Sequence, residues 1–245
     1  MTRVVYTAGG QLPVRELISP VHLVRELLTH RELIIAYTKR EFHAAHRGTY
    51  LGLVWSILSP LIMLALFVGV FGHIFGGKFT SRPDETAGEF ALALFIGLGF
   101  FNCFSQAMGG ASGLILSNSA YVKSLSFPLH ILSVSSVLNS LINLVITIAI
   151  CVASHLAIYG NVHPATAWLV VHLFAITLLG LGISWFMSGL SVFVRDIPAI
   201  IPPITTVLMF GSGVFFPLSN VSPKIRMVLS PVSYTHLTLP TILLV

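Results

Sequence analysis

SLSFPLHILSVSSVLNSLINLVITIAICVASHLAIYGNVHPATAWLVVHLFAITLLGLGISWFMSGLSVFV occupies residues 124–194, between Lys123 and Arg195, and contains no Asp, Glu, Lys or Arg over its 71 positions. A soluble domain has no physical reason to avoid formal charge for so long. A bilayer does, because a charged side chain at its centre costs about 2.5–3.5 kcal/mol even on lenient scales. One crossing needs about 20 apolar residues as a helix. The stretch therefore holds two crossings and a tight turn, and it marks an integral membrane protein before any motif is considered.

Composition agrees. The 245 residues are 55% hydrophobic and 9% charged, against about 25% charged in a typical globular domain. The net charge of +5 does not point to nucleic acid, because of where the cations lie. Arg3, Arg15, Arg25, Arg31, Lys39, Arg40 and Arg47, seven of the 13 Lys and Arg residues, precede the first apolar run. Basic residues massed before a span mark a cytoplasmic end. Cys103 and Cys151 both fall inside apolar runs, which argues against a disulfide framework or a zinc site. The polar N-terminus carries no short apolar core, so no cleavable signal peptide is expected.

Five apolar segments follow: Leu51–Phe75, Phe90–Leu116, Leu129–Tyr159, Ala165–Val194 and Ile197–Leu218. Each is long enough to cross a core about 30 Å thick as a helix. Helix is forced, because lipid offers no partner for open backbone groups. The expected fold class is thus all-α, a polytopic helical membrane protein. With the N-terminus in the cytoplasm, nine cations lie inside and Lys78, Arg82, Lys224 and Arg226 lie outside, as the positive-inside rule requires. Ahead of the first span, Ser19-Pro20 suits a helix start. Leu23, Leu27, Ile34 and Tyr37 then recur at helical spacing among charged residues. This predicts an amphipathic helix, lying on the membrane surface or packed on a partner protein.

Candidate chemistry is sparse. Gly72–Lys78 copies the first seven positions of a phosphate-binding loop, but Phe79 stands where Ser or Thr should hold magnesium. Its glycines, like Gly109 and Gly113, read better as helix-packing positions. His43 and His46 form an H-x-x-H pair too small for a metal site. No Asp or Glu lies inside any of the five segments. Proton-coupled carriers need an intramembrane ionisable relay, and membrane transferases need carboxylates for metal or base. Energy and chemistry are therefore expected from another subunit. Aromatics are plentiful at membrane depth. As a set, Trp55, Phe67, Phe71, Phe100, Phe101, Phe104 and Trp185 permit a sugar-lined passage, while for any single one lipid contact or helix packing is the better explanation. The amides Asn102, Gln106, Asn139 and Asn143 either bond between helices or face a wet cavity.

The run Arg40, then His46-Arg47-Gly48-Thr49-Tyr50-Leu51-Gly52-Leu53-Val54-Trp55-Ser56-Ile57-Leu58-Ser59-Pro60, resembles the start of a type-2 ABC exporter permease. Polysaccharide and O-antigen export permeases are the nearest pattern, with Thr49 and Ser59 as mild departures. Leu114–Lys123, continuing to Phe127-Pro128-Leu129, resembles a second signature. Ser184-Trp185-Phe186 with Val192–Ile197 resembles a third. The resemblance implies a permease homodimer with two copies of a separate ATPase, which binds the ATP and Mg. The permease itself is then non-catalytic and holds no cofactor or metal. It implies six membrane helices and an N-terminal interfacial helix in the bacterial cytoplasmic (inner) membrane. Carried over, Asn118, Tyr121, Val122, Lys123, Phe127 and Pro128 belong to the main ATPase-coupling loop, and Arg195-Asp196 to a second cytoplasmic contact. Arg40 and Arg47 would sit at the cytoplasmic mouth, where they attract the pyrophosphate of a lipid-linked glycan or simply anchor the positive-inside orientation.

The chain departs from that pattern after Pro231. Val232–Thr241, where the family's sixth helix is expected, resembles one reading frame of a sequencing-adapter end; the expectation is a C-terminally truncated gene with a read-through scar, and the alternative is a natural divergent tail. The expected organisation is a cytoplasmic segment over 1–50, a transmembrane domain over 51–231 and a non-native tail over 232–245. The expected function is ATP-driven export of lipid-linked polysaccharide. A type-2 exporter of teichoic acid, lipid or drug is the alternative within the class. A multispan enzyme of envelope glycan synthesis is the alternative outside it, and the missing intramembrane carboxylates count against it.

Overall fold

The computed structural model describes residues 20–45, 47–70, 86–118, 128–161 and 164–212. All regular structure among them is helical. The chain opens with α1 (Pro20–Thr29) and α2 (Arg31–Ala44), then a short 3-10 turn at Gly52–Val54 leads into α3 (Trp55–Phe67). Helix α4 (Ala87–Ser112) is followed by the single turn α5 (Leu114–Ser117). Helix α6 (His130–Tyr159), a 3-10 turn at Pro164–Ala167, α7 (Trp168–Phe193) and α8 (Ile197–Gly211) complete it. Residues 71–75 of the first expected span, residues 213–218 of the fifth, the 72–78 loop motif and the 232–245 tail lie outside the described residues.

Four helical stretches are long and apolar enough to cross a membrane: Gly52–Val70, Gly88–Ser112, His130–Tyr159 and Trp168–Phe193. Helix α8 has 15 described residues, about 22 Å of rise, short of a full core. The second span differs from expectation in its ends. It starts earlier, at Ala87, because Thr86 and Glu89 form a reciprocal capping box. The Glu89 carboxylate accepts from the Thr86 N–H at 2.9 Å, and the Thr86 hydroxyl accepts from the Glu89 N–H at 3.3 Å. It also breaks at Gly113, so Leu114–Ser117 is a separate turn.

Helix α4 is the hub, packed against α6, α7, α8 and α3. Leu94, Ile96 and Phe100 of α4 meet Leu144 of α6 and Ile176 of α7 in one buried cluster. Close approach depends on small residues. A Cβ on Gly99 would lie 2.8 Å from Thr147 Cγ2, and one on Gly110 2.8 Å from Ser136 Oγ. The expected packing pair, Gly109 and Gly113, is not the one used: Gly109 has only Ile201 at 4.0 Å and Gly113 has nothing near. Between α6 and α7, Ser133 and Ser188 hydroxyls lie 3.3 Å apart and the Ser184 hydroxyl donates to the Ser133 carbonyl at 3.5 Å.

The spans alternate in direction. At one end of the bundle the Thr86 and Tyr159 hydroxyls, from the start of α4 and the end of α6, lie 2.9 Å apart. Helix α6 stops there at Gly160, whose φ of 73° suits a glycine and whose N–H closes on the Leu156 carbonyl. At the opposite end α2 docks on the base of α6, with Ile34 against Ile131 and Val134. The expected N-terminal helix is two helices, bent at His30, and it packs on its own bundle through Ile34, Tyr37 and Thr38. Leu28, Leu33 and Ile35 stay exposed, an apolar edge suited to a membrane surface.

Candidate functional site

The first signature builds a basic groove at the foot of the first span. Gly48 (φ 83°) and Gly52 (φ 50°) both adopt the left-handed backbone that other residues avoid. Their turns fold the chain from α2 into α3 and bring Arg47 back toward α2. The resulting groove, about 550 Å³, is lined by Ala36, Lys39, Arg40, His43, Arg47, Gly52 and Leu53. Arg40 and Arg47, expected at the mouth, thus share one site, and the structure adds Lys39 and His43. The three formal cations are exposed on its walls. Such a site can bind a di-anion through charge-assisted hydrogen bonds, for which guanidinium geometry suits phosphate.

Beside the groove, burial pushes the Glu41 carboxyl above its ordinary range, partly offset by the adjacent Arg40 charge. The Arg40 guanidinium lies 4.0 Å over the Tyr37 ring. The Tyr37 hydroxyl in turn donates to Asn118 Oδ1 at 2.7 Å. Asn118 Nδ2 donates to the Leu114 carbonyl at 2.9 Å and to Ser117 Oγ at 3.3 Å, which locks the end of α5. Arg40 and the first residue of the expected coupling loop are therefore two contacts apart. Helical spacing marks Tyr37 only as an apolar-face residue, and no local signal reveals a bond across 81 residues.

Of the other expected coupling residues, Tyr121, Val122, Lys123 and Phe127 lie outside the described residues. The Pro128 carbonyl accepts from the Ile131 N–H at 3.1 Å, at the start of α6. Arg195 and Asp196 form an exposed turn between α7 and α8. The Asp196 carbonyl receives the Ala199 and Ile200 N–H groups at 3.0 and 3.1 Å. Because α5 packs on both α6 and α7, Asn118 and this turn lie at the same end of the bundle as the groove.

The aromatics are placed differently. Phe67, Phe100, Phe101 and Phe104 are 5%, 1%, 3% and 6% exposed and belong to the buried core. Trp185 is half-buried against Ile34, Ile131 and Val134, with its indole N–H unpartnered. Trp55 is half-buried, and Phe71 lies outside the described residues. The amides do more. Asn143 Nδ2 donates to Gln106 Oε1 at 3.2 Å, bridging α6 and α4. No group of three or more His, Cys, Asp or Glu converges among the described residues, and His46 is not one of them.

A family model described as ABC-2 type transporter matches residues 32–238. The chain is 28% identical over 209 residues to the O-antigen export system permease protein RfbA of Myxococcus xanthus, covering 83% of this chain and 75% of that protein. It is 22% identical over 196 residues to the protein of the same name from Klebsiella pneumoniae, covering 79% and 71%. Signatures, helical bundle and family match agree, and the chain belongs to the ABC-2 type transporter family.

Proposed function

We propose that this chain is the membrane permease subunit of an exporter that moves lipid-linked polysaccharide, an O-antigen or similar surface glycan, across the bacterial inner membrane. The observation that carries the reading is the groove of Lys39, Arg40, His43 and Arg47 at the foot of the first span. Its volume falls within the range of small-molecule sites, about 300–1,000 Å³, and its charge suits a diphosphate headgroup. The similarity to two O-antigen export permeases supports the choice of cargo. In this reading the N-terminus is cytoplasmic, two permease copies pair, and two copies of an ABC ATPase supply ATP and Mg chemistry. Their push arrives at the 118–128 loop and the Arg195-Asp196 turn. Tyr37 joins the groove to Asn118, so a filled groove and the ATPase contact sense each other.

The test is reconstitution of the permease with its ATPase in proteoliposomes, following ATP-dependent movement of a polyprenyl-diphosphate-linked O-polysaccharide. Arg40→Ala with Arg47→Ala is expected to raise the half-saturating substrate concentration about tenfold or more, the worth of a lost charge-assisted bond. Unchanged transport at unchanged membrane abundance sinks the headgroup assignment. Movement of a teichoic acid, lipid or drug in place of the glycan selects the alternative exporter. Covalent turnover of a glycan by the chain without any ATPase selects the membrane-enzyme reading.

A further inference from the structure

The surface of α4 carries an exception. Every residue from Phe90 to Phe101 is buried. The exposed positions that follow are Asn102, Gln106 and Gly110, spaced by four and therefore on one face. None of them is apolar. The exposed faces of the neighbouring spans are the opposite: Ile57, Leu61 and Ile62 on α3, and Val170, Val171 and Phe174 on α7. Asn102 lies about 3 Å and Gln106 about 9 Å along the axis from the midpoint of their span. Asn143, which bonds Gln106, is also central in α6. One turn from it, Asn139 Oδ1 is buried without a hydrogen-bond partner. Uncovered amides at mid-membrane depth cannot face hydrocarbon, where nothing accepts or donates. This face therefore looks onto water, onto a polar ligand or onto a polar surface of a second copy.

We infer that Asn102 and Gln106, braced by Asn143, form a hydrogen-bonding wall along which the sugar hydroxyls of the exported chain pass. The inference rests on the glycan-export reading and deepens it by naming the wall. Amides both donate and accept, as hydroxyls do. The bond from Asn143 occupies Gln106 Oε1 and leaves the two Gln106 N–H donors to the open side. Carrying no formal charge, the wall binds each hydroxyl weakly and releases it, which a conduit for a long polymer requires. From Asn102 to Gly110 it runs about 12 Å along the helix, longer than one sugar ring.

The experiment uses the full chain with its ATPase in proteoliposomes and has two arms. In the first, Asn102→Cys is exposed to a membrane-impermeant thiol reagent. Cys103 and Cys151 are both buried, so the unsubstituted chain supplies a low background, and Ile62→Cys on the exposed apolar face of α3 is the control. Labelling at 102 but not at 62, with protection by the polyprenyl-diphosphate-linked glycan, is expected. In the second, Asn102→Leu and Gln106→Leu are each expected to lower the maximal rate of glycan movement about fivefold to tenfold, the worth of one hydrogen bond. Half-saturation should stay unchanged, and Asn102→Ser should recover part of the rate. That split separates the wall from the basic groove, whose loss raises half-saturation. Full transport by both leucine variants, with position 102 unlabelled, overturns the inference and leaves the export reading standing. Cross-linking of Asn102→Cys between two copies without labelling overturns it too, since the strip is then a contact between protomers. Labelling at 102 in a system that moves no glycan overturns the sugar assignment together with the export reading.

Discussion

Helices α3 and α4 invert the rule of soluble proteins. Within the α3 span, Gly52–Val70, an 18-residue stretch has a mean hydropathy of 2.4, yet only 11% of it is buried in the protein. The matching 18-residue stretch of the α4 span, Gly88–Ser112, is less apolar, at 1.6, and 83% buried. The matching stretches of the other two spans, at 2.3 and 2.1, are each 22% buried and fall with α3. In water the most apolar surface goes inside. In a bilayer the solvent is itself apolar, so the most apolar helices can stay uncovered, and the less apolar α4 is the one enclosed by its neighbours. Packing, hydrogen bonds and small-residue contacts then hold the bundle, in place of the hydrophobic effect.

The largest test of that contrast pairs two truncations. Leu94 on α4 is 0% exposed and Ile62 on α3 is 52% exposed. Leu94→Ala leaves a cavity inside the bundle and is expected to destabilise by about 2–5 kcal/mol. Ile62→Ala exchanges one lipid contact for another and should cost under about 1 kcal/mol. Thermal unfolding of the purified chain in the same lipid nanodiscs compares them directly. Equal losses would break the comparison, because α3 would then be as enclosed as α4.

The charge-free stretch made most of this bundle legible. Its two spans, read as Leu129–Tyr159 and Ala165–Val194, emerge as α6 and α7 with ends displaced by at most three residues. Gly160 and Pro164 are local stop and start signals, so they are visible without tertiary context. The break at Gly113 was hidden, because Leu114, Ile115 and Leu116 continue the apolar run and hydropathy does not register a turn. The capping box at Thr86-x-x-Glu89 is readable from spacing, but it lies ahead of the apolar run that begins at Phe90, so hydropathy alone starts the helix too late. Which aromatics face inward was not readable at all. Helix α4 is apolar on nearly every side, so periodicity offers no preferred face. In the groove, Arg40 and Arg47 were legible from charge and signature. Lys39 and His43 share the helix face of Arg40, whereas Arg47 joins them only because Gly48 and Gly52 turn the chain back.

A smaller effect sharpens the packing side of the contrast. Gly99→Ala on α4 drives a methyl toward Thr147 Cγ2, a branched side chain with little room to yield, and should destabilise by about 1–3 kcal/mol. Gly182→Ala on α7 meets nothing within 4 Å and should be neutral or stabilising by up to about 1 kcal/mol through helix propensity. The same nanodisc unfolding assay separates the signs. Next in size is Tyr37→Phe, which removes the bond to Asn118 and keeps the ring under Arg40. Loss of about 0.5–1.5 kcal/mol is expected, visible as faster hydrogen exchange in α2 and at residues 114–118. Unchanged exchange would show that apolar packing alone holds α2 to the bundle.

The smallest effect concerns Glu41, whose carboxyl is held above its ordinary range by burial, with Arg40 opposing. A carboxyl with a raised folded-state pKa binds its proton more tightly folded than unfolded. Stability is therefore greater when it is protonated and declines as pH rises from the unfolded value through the folded one. That window lies just above the ordinary carboxylate range, so docking of α2 should weaken slightly between mildly acidic and neutral pH. Glu41→Gln keeps the shape, removes the charge and should abolish this component while leaving the chain marginally more stable at neutral pH. The unfolding midpoint, followed from acid to neutral, measures both. A steeper decline in the variant than in the unsubstituted chain would mean that the Arg40 attraction outweighs burial, and that the foot of the bundle is wetter than its packing implies.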